Sequence, residues 1–336
     1  MSGGSNCEWK YPEKPYFRPG MKGETASKFF DQIHGRKVLV VGDSMLDSYC
    51  YGEVSRISPE APVPVLLESS REAKAGGAAN VALNLIGLGL DVSLFGAWAT
   101  DEAGIKLATI LEESGMNQAV RFAHTCTTEK QRIIGRGQQM LRIDRERMFR
   151  WSEADLLRLQ TELRGMHDIE LVVVSDYNKG FISRSFMEVV RSFCAEKRIP
   201  FVSDPKVQDW SLYAGSLWLT PNLGELGLAV GIHADNVDEW VESALEKAAE
   251  LVPGTSIAVT RAENGISYIQ SGTFGHSKAV AREVYDVCGA GDTVLAVVAA
   301  GVLSGAANPV IFDLANRAAG HVVARQGTVA IQRSWL

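Results

Sequence analysis

Cysteine is scarce in this chain of 336 residues: Cys7, Cys50, Cys126, Cys194 and Cys288 are five, scattered, and show no Cys-x-x-Cys spacing. An odd and dispersed set argues against both a disulfide framework and a zinc site, and fits a reducing, cytoplasmic setting. No apolar run reaches the roughly 18 residues of a membrane span, and the N-terminus lacks the basic-then-apolar layout of a secretion signal. Positive charge is also short. Against 40 acidic residues stand 34 Lys and Arg, a net charge of −6, which makes nucleic acid and anionic membranes poor partners. The P-loop pattern G-x-x-x-x-G-K-[ST], a G-x-G-x-x-G after a strand, internal repeats and low-complexity stretches are all missing. What remains is globular composition, 46% hydrophobic and 22% charged, enough for a large core.

The hydrophobic pattern alternates strand and helix. Lys37 to Val41, Leu171 to Asp176 and Phe201 to Asp204 are short runs expected of strands buried on both faces of a parallel sheet. Helical spacing follows at Ala26 to His34, Val81 to Gly89, Asp101 to Ser114, Ser152 to Met166 and Ser183 to Lys197. Two stretches break the rhythm. Ser48 to Glu68 carries Pro59, Pro62 and Pro64, and Val120 to Asp144 alternates like a hairpin with one solvated face. Together they predict a small antiparallel sheet, a lid over about 48–70 and 120–147, whose exposed face pairs with a second copy or closes over a ligand. Residues 1–36 read as a loose extension plus one helix, and 37–330 as a single α/β domain.

Chemistry concentrates at glycine-rich turns and strand exits. Asp286 to Asp292 (Asp-Val-Cys-Gly-Ala-Gly-Asp) precedes an apolar helix, so the amides of Gly289, Ala290, Gly291 and Asp292 are placed to hold a phosphate or developing oxyanion. An ordinary turn capped by Asp292 is the simpler reading of that motif in isolation. Gly76 and Gly77 permit close approach of a ligand to the backbone, and Asn80 can both donate to and accept from a hydroxyl. The strand exits bring Asp47, Asp176, Lys179 and Lys206 toward one rim, where open α/β sheets bind ligands. Asn222 and Glu225, three apart at a helix start, offer oxygen donors suited to Mg²⁺, directly or through water.

Gly76-Gly77-Ala78-Ala79-Asn80 early in the chain and Asp286 to Asp292 late in it resemble the two signatures of the ribokinase-like sugar kinases, the phosphofructokinase B family. Asn222 and Glu225 resemble that family's Asn-x-x-Glu motif, and the similarity runs from about Lys37 to Gly327. Gly42 to Asp47, Arg56 to Val65 and Ser175 to Gly180 resemble its heptose-7-phosphate kinases. The resemblance implies a three-layer α/β sandwich with a mostly parallel central sheet and a β-sheet lid. It also implies ATP and Mg²⁺, a sugar phosphate acceptor, and a homodimer through the lid. Asp292 would be the catalytic base and the Gly289 to Asp292 amides the anion hole. Asp47, Gly76, Gly77, Asn80 and Asp176 would lie with the sugar, and Lys179, Lys206 and Arg142 are candidates for its phosphate, with a solvated role equally open for Arg142. Thr260, Gly265, Asn316 and Gly327 would line the nucleotide, although Ala262 stands where the family carries the middle glycine of Thr-x-Gly-x-x-Gly. Asp286 is a candidate for a monovalent cation, and Cys288 is expected to be a small buried residue whose thiol nothing requires. No His-x-x-His motif is present, so kinase activity alone is expected. Kinases of the same fold acting on other sugars or nucleosides, and a non-catalytic sugar-phosphate or nucleotide sensor, remain alternatives.

Overall fold

In the computed structural model, Val38 and Val40 face one hydrophobic core while Leu39 and Val41 face another. That alternation is the consequence of a two-residue strand period in a sheet covered on both sides. The structure describes residues 26–280 and 283–336, with side chains from residue 28; the N-terminal extension read at 1–24 lies outside them.

The chain begins with α1 (Ala26–Ile33), β1 (Lys37–Gly42), β2 (Ser44–Ile57), β3 (Pro64–Gly77), α2 (Ala78–Gly87), β4 (Asp91–Trp98) and α3 (Glu102–Glu113). It continues through β5 (Gln118–Ala123), β6 (Thr128–Gly135), β7 (Gln138–Arg145), α4 (Glu153–Gly165), β8 (Leu171–Ser175), α5 (Arg184–Lys197) and β9 (Phe201–Asp204). There follow β10 (Trp218–Leu219), α6 (Leu223–Val230), α7 (Asp238–Leu251), β11 (Ser256–Thr260), β12 (Ile266–Gln270), β13 (Thr273–Ser277), α8 (Ala290–Ser304) and α9 (Asn308–Val323). The main sheet has nine strands in the order β13-β12-β11-β10-β9-β8-β1-β4-β5. Only β12 and β13 run antiparallel to their neighbours. Helices α1, α2, α3, α8 and α9 contribute to one core, and α4, α5, α6 and α7 to the other. This is the three-layer architecture expected.

The second sheet departs from its expected form in three ways. Its order is β3-β2-β6-β7, and β2 pairs with β6 in parallel, so it is not purely antiparallel. Its strands β2 and β3 are each 14 residues long and start and finish at the body, at Ser44 and Gly77. Residues 118–123, partly assigned to the hairpin by their alternation, form β5 and pair with β4 at the edge of the main sheet. An edge strand with one covered face alternates just as a lid strand does, so periodicity could not separate them. Strand β13 was hidden for a similar reason: Thr273 to Ser277 carries little apolar signal, and its pairing with β12 defines it.

Candidate active site

Pairing of β1 with β8 and of β8 with β9 sets Gly42 beside Ser175 and Ser175 beside Asp204, so three strand exits lie side by side. The aspartates at these exits do different work. Asp43, which the sequence analysis did not single out, accepts the backbone N–H groups of Tyr177, Lys179 and Phe181 at 2.9–3.1 Å and thereby pegs the loop after β8. Asp176 points inward: its carboxylate accepts from Tyr213 Oη at 2.5 Å and from the Asn178 amide at 2.6 Å. Burial pushes its pKa up to about 7, with the neighbouring Asp43 adding to the rise. Asp176 is thus bonded to protein groups rather than turned to the rim as expected for a sugar contact. Close approach at this crossing requires glycine, because a Cβ on Gly42 would run into the Ser175 carbonyl.

Asp292 sits in the first turn of α8, whose N-cap Gly289 adopts φ 79°, a conformation suited to glycine. Asn80 Nδ2 donates to Asp292 Oδ2 at 2.7 Å, and Tyr177 Oη donates to Asp292 Oδ1 at 2.7 Å. The carboxylate is 3% exposed, and that burial raises its pKa to about 6 against the lowering effect of the two donors. Asn80, expected on a sugar hydroxyl, is therefore engaged with the candidate base. Along the expected anion hole, the Ala290 amide is spent on the Val287 carbonyl at 3.3 Å, a use the sequence did not reveal. Gly291 and Asp292 follow in the first helical turn, whose amides have no intrahelical acceptor. A Cβ on Gly291 would meet nothing within 4 Å, so space lies open beside it.

Asp47 is not in an exit loop but in β2, and its oxygens are occupied. Arg132 Nη1 donates to Oδ1 at 2.6 Å and Thr328 Oγ1 to Oδ2 at 3.0 Å, while both side chains of the ion pair are 9% exposed. Gly76 is where this carboxylate passes closest, leaving no room for a Cβ, and Gly77, at φ 60°, packs on the Asp43 carbonyl. Arg132 also reaches Cys288 Sγ at 3.3 Å. Cys288 is partly exposed rather than buried, with a thiol pushed up to about 11 chiefly by desolvation. Lys130, two residues before Arg132 on β6, was likewise missed; its ammonium lies 5.1 Å from the centre of the Tyr177 ring. Burial lowers its pKa, Asp47 opposes this, and Lys179, Arg132 and Arg142 push it further down. Lys179 pairs with Glu146 at 2.6 Å, and Arg142 pairs with Asp144 on the exposed strand β7. The only sequence signal for Lys130 and Arg132 was their shared face at i, i+2 in an alternating strand.

Asn222 and Glu225 form a capping box at the start of α6: Asn222 Oδ1 accepts from the Glu225 amide at 2.9 Å, and Glu225 Oε2 from the Asn222 amide at 2.8 Å. The second Glu225 oxygen takes Lys206 Nζ at 2.5 Å, and this pairing favours the charged form of Lys206 against partial desolvation. Asp204 has its pKa raised well above normal by burial and then by the charge of Glu225. Two carboxylates crowded this way, with a lysine as counter-charge, are a donor set that a hard divalent cation would suit. Among the described residues no group of three or more His, Cys, Asp or Glu forms a cage.

The residues expected around the nucleotide gather at two places. Asn316 Nδ2 donates to the carbonyl and hydroxyl of Ser277 at 2.9 Å, and Gly265, at φ 83°, abuts the same Ser277 carbonyl. The amide of Thr260 donates to the Pro221 carbonyl at 2.9 Å, beside Asn222. Between them Ala262 is held at φ 48°, in the left-handed region that glycine would fill without strain. Buried Arg261 holds the loop there through Asn236, Ser267 and Asp238. Gly327 donates its amide to Asp286 Oδ2, whose other oxygen accepts from the Cys288 amide, both at 3.0 Å. Asp286 therefore ties the glycine loop to the C-terminal segment.

The sequence and the fold have known counterparts. The "Bifunctional protein HldE" of Pseudomonas entomophila is 44% identical over 305 residues, 90% of this chain and 62% of that protein. HldE of Hyphomonas neptunium is 40% identical over 314 residues. The chain spans less than two thirds of the length of these relatives. Arabidopsis thaliana ribokinase, complexed with ribose and ATP, superposes with a TM-score of 0.69 at 21% identity, over 90% of this chain and 97% of that one. Escherichia coli phosphofructokinase-2, in complex with potassium, gives 0.74 at 15% identity over 90% and 96%, so the fold is ribokinase-like. With the pfkB family carbohydrate kinase profile matching residues 36–334, from β1 to beyond the last helix, this chain belongs to the pfkB family of carbohydrate kinases.

Proposed function

We propose that this chain transfers the γ-phosphoryl group of ATP to the anomeric hydroxyl of D-glycero-β-D-manno-heptose 7-phosphate, giving the 1,7-bisphosphate on the route to ADP-heptose and lipopolysaccharide core. The observation that carries a kinase reading is Asp292, buried, doubly hydrogen-bonded and set at a glycine-capped helix start. A phosphorylated acceptor is supported by Lys130, whose charged form is disfavoured first by burial and then by the nearby cations Lys179, Arg132 and Arg142, and would be favoured by a bound anion. Heptose itself rests on the resemblance of Gly42 to Asp47, Arg56 to Val65 and Ser175 to Gly180, together with the HldE relatives.

Asp292 accepts the proton of the acceptor hydroxyl, a contribution of roughly 10² to 10⁴ in rate. The first-turn amides of Gly291 and Asp292 receive negative charge as it builds on the transferred group, about 3 kcal/mol per well-aimed donor. Lys130 and Lys179 hold the distal phosphate of the acceptor. Mg²⁺, which neutralises phosphate charge when bound, would be held by Glu225 and Asn222 largely through water, with Asp204 beside them. Asp286 is the residue for a monovalent cation, and the work is cytoplasmic.

The test is ADP release across a panel of sugars and sugar phosphates, with phosphorus NMR locating the new phosphate. Turnover of the heptose 7-phosphate to an anomeric phosphate is the expected result. Preference for another acceptor would leave a sugar kinase with a different substrate; binding without turnover on every compound would favour a sensor.

A further inference from the structure

Tyr177 belongs to no helix or strand, yet it is fixed on three sides. Its amide and those of Lys179 and Phe181 are held by the single carboxylate of Asp43. Two ammonium groups lie near its ring, Lys130 at 5.1 Å and Lys206 at 5.9 Å from the centroid. Its hydroxyl reaches Asp292 Oδ1 at 2.7 Å. The pegged backbone and the nearby cations accompany a hydroxyl bonded to Asp292.

We propose that Tyr177 is a positioning residue for phosphoryl transfer: its hydroxyl orients the Asp292 carboxylate and sets its basicity. The inference rests on the reading of Asp292 as the general base. With Asn80 on Oδ2 and Tyr177 on Oδ1, the carboxylate cannot rotate, and each oxygen keeps a second lone pair for an incoming proton. In the transfer step the acceptor oxygen bonds to the γ-phosphorus. The bond from that phosphorus to the bridging oxygen breaks with its electron pair staying on ADP, and the acceptor's proton passes to Asp292. Tyr177 keeps its own proton, because burial and the adjacent Asp292 charge hold its pKa well above the usual value.

Every element around Asp292 acts on the same equilibrium. Asp47 on β2 and Asp204 at the end of β9 disfavour its charge, whereas Lys130 on β6 and the donors Asn80 on α2 and Tyr177 favour it. Removing a donor from a carboxylate destabilises the ionised form, so the pKa rises. A bond to a charged group corresponds to about one pH unit.

The experiment uses the full chain. The pH dependence of kcat/KM is measured for the unaltered protein, for Tyr177→Phe, and for a chain carrying 3,5-difluorotyrosine at 177, a stronger donor of nearly the same shape. Carbon-13 NMR of labelled aspartate carboxyls follows the same titration without turnover, with Asp292→Asn identifying the resonance. The expected result is an acid limb and a carboxyl midpoint near 6 in the unaltered protein. Both shift up by about one unit in Tyr177→Phe and move down with difluorotyrosine. Uniformly reduced activity with unmoved midpoints would overturn the proposal and leave Tyr177 merely structural. Should the Phe variant fail to fold, the fluorinated chain decides alone. Asp292→Asn retaining turnover would instead overturn the general-base reading, while the carboxyl titration would still report on Tyr177.

Discussion

A carboxylate as buried as Asp292 is costly to ionise, and its two donors offset only part of that cost. Its folded pKa near 6 lies above the ordinary carboxylate value, so the active, charged form is lost as pH falls through 6. We expect kcat/KM to drop on that acid limb, and Asp292→Asn to lower turnover by about 10² or more while ATP binding, followed by calorimetry, persists. Lys130→Ala should raise KM for a phosphorylated acceptor about tenfold and leave KM for ATP unchanged, since a charge-assisted contact to phosphate contributes on the order of 1.5 kcal/mol or more. Equal effects on both substrates would remove Lys130 from the acceptor side. The place of Asp292 at a helix start was legible in the sequence because a glycine-rich turn before an apolar helix is a local pattern. Tyr177, Lys130 and Asp43 were not, because their roles come from partners more than 40 residues away in the chain, brought together by sheet order.

At the scale of an element, the start of α8 combines an opening turn with a helix buried along its length from Asp292 to Ser304. Gly291 has helical backbone and open space at its Cβ, so Gly291→Ala should raise helix stability by roughly 0.5–1 kcal/mol. If the open space receives the transferred group, the same methyl should cut turnover at least tenfold, and a variant both stable and fully active would refute that use of the space. The loop Arg261 to Gly265 makes the opposite case. Ala262 bears left-handed strain that Arg261 and its partners impose. Ala262→Gly should relieve about 1 kcal/mol of it and raise the melting temperature by about 1–2 °C in thermal unfolding. The capping box of Ser152 with Asp155 could be read from spacing, whereas Asn222 with Glu225, read from sequence as a donor pair for Mg²⁺, forms a second capping box in the structure. That Glu225 also holds Lys206 could not be read from spacing, since the contact joins the loop after β9 to the start of α6.

At the scale of the whole molecule, the Asp47–Arg132 pair joins β2 to β6 within the second sheet, and it meets the body where Thr328 donates to Asp47 and Arg132 reaches Cys288. Arg132→Ala would strand a buried carboxylate and should cost about 3–5 kcal/mol, measured by denaturant unfolding. All eight residues of β7 are exposed, and Ile57, Leu67, Met140, Leu141 and Ile143 present apolar surface on this sheet. A homodimer through that sheet remains our proposal for what covers it. Light scattering should find a dimer that Leu67→Asp with Leu141→Asp converts to a monomer; a chain already monomeric at micromolar concentration would end the idea.

Composition and periodicity alone determined the α/β layering, the buried strands, most helix limits and the glycine-rich turns. All of these follow from local backbone preference and from which faces must leave water. The tertiary structure decided which strand joined which sheet, that β2 runs parallel to β6, and which polar groups met. Asp47, Asp176 and Asn80 were expected as ligand contacts from sequence, and the structure shows that they also partner Arg132, Tyr213 and Asp292. The physical reason is desolvation: once folding buries a carboxylate, it must find a donor among whatever the topology places beside it, and that choice is not written in the neighbouring residues.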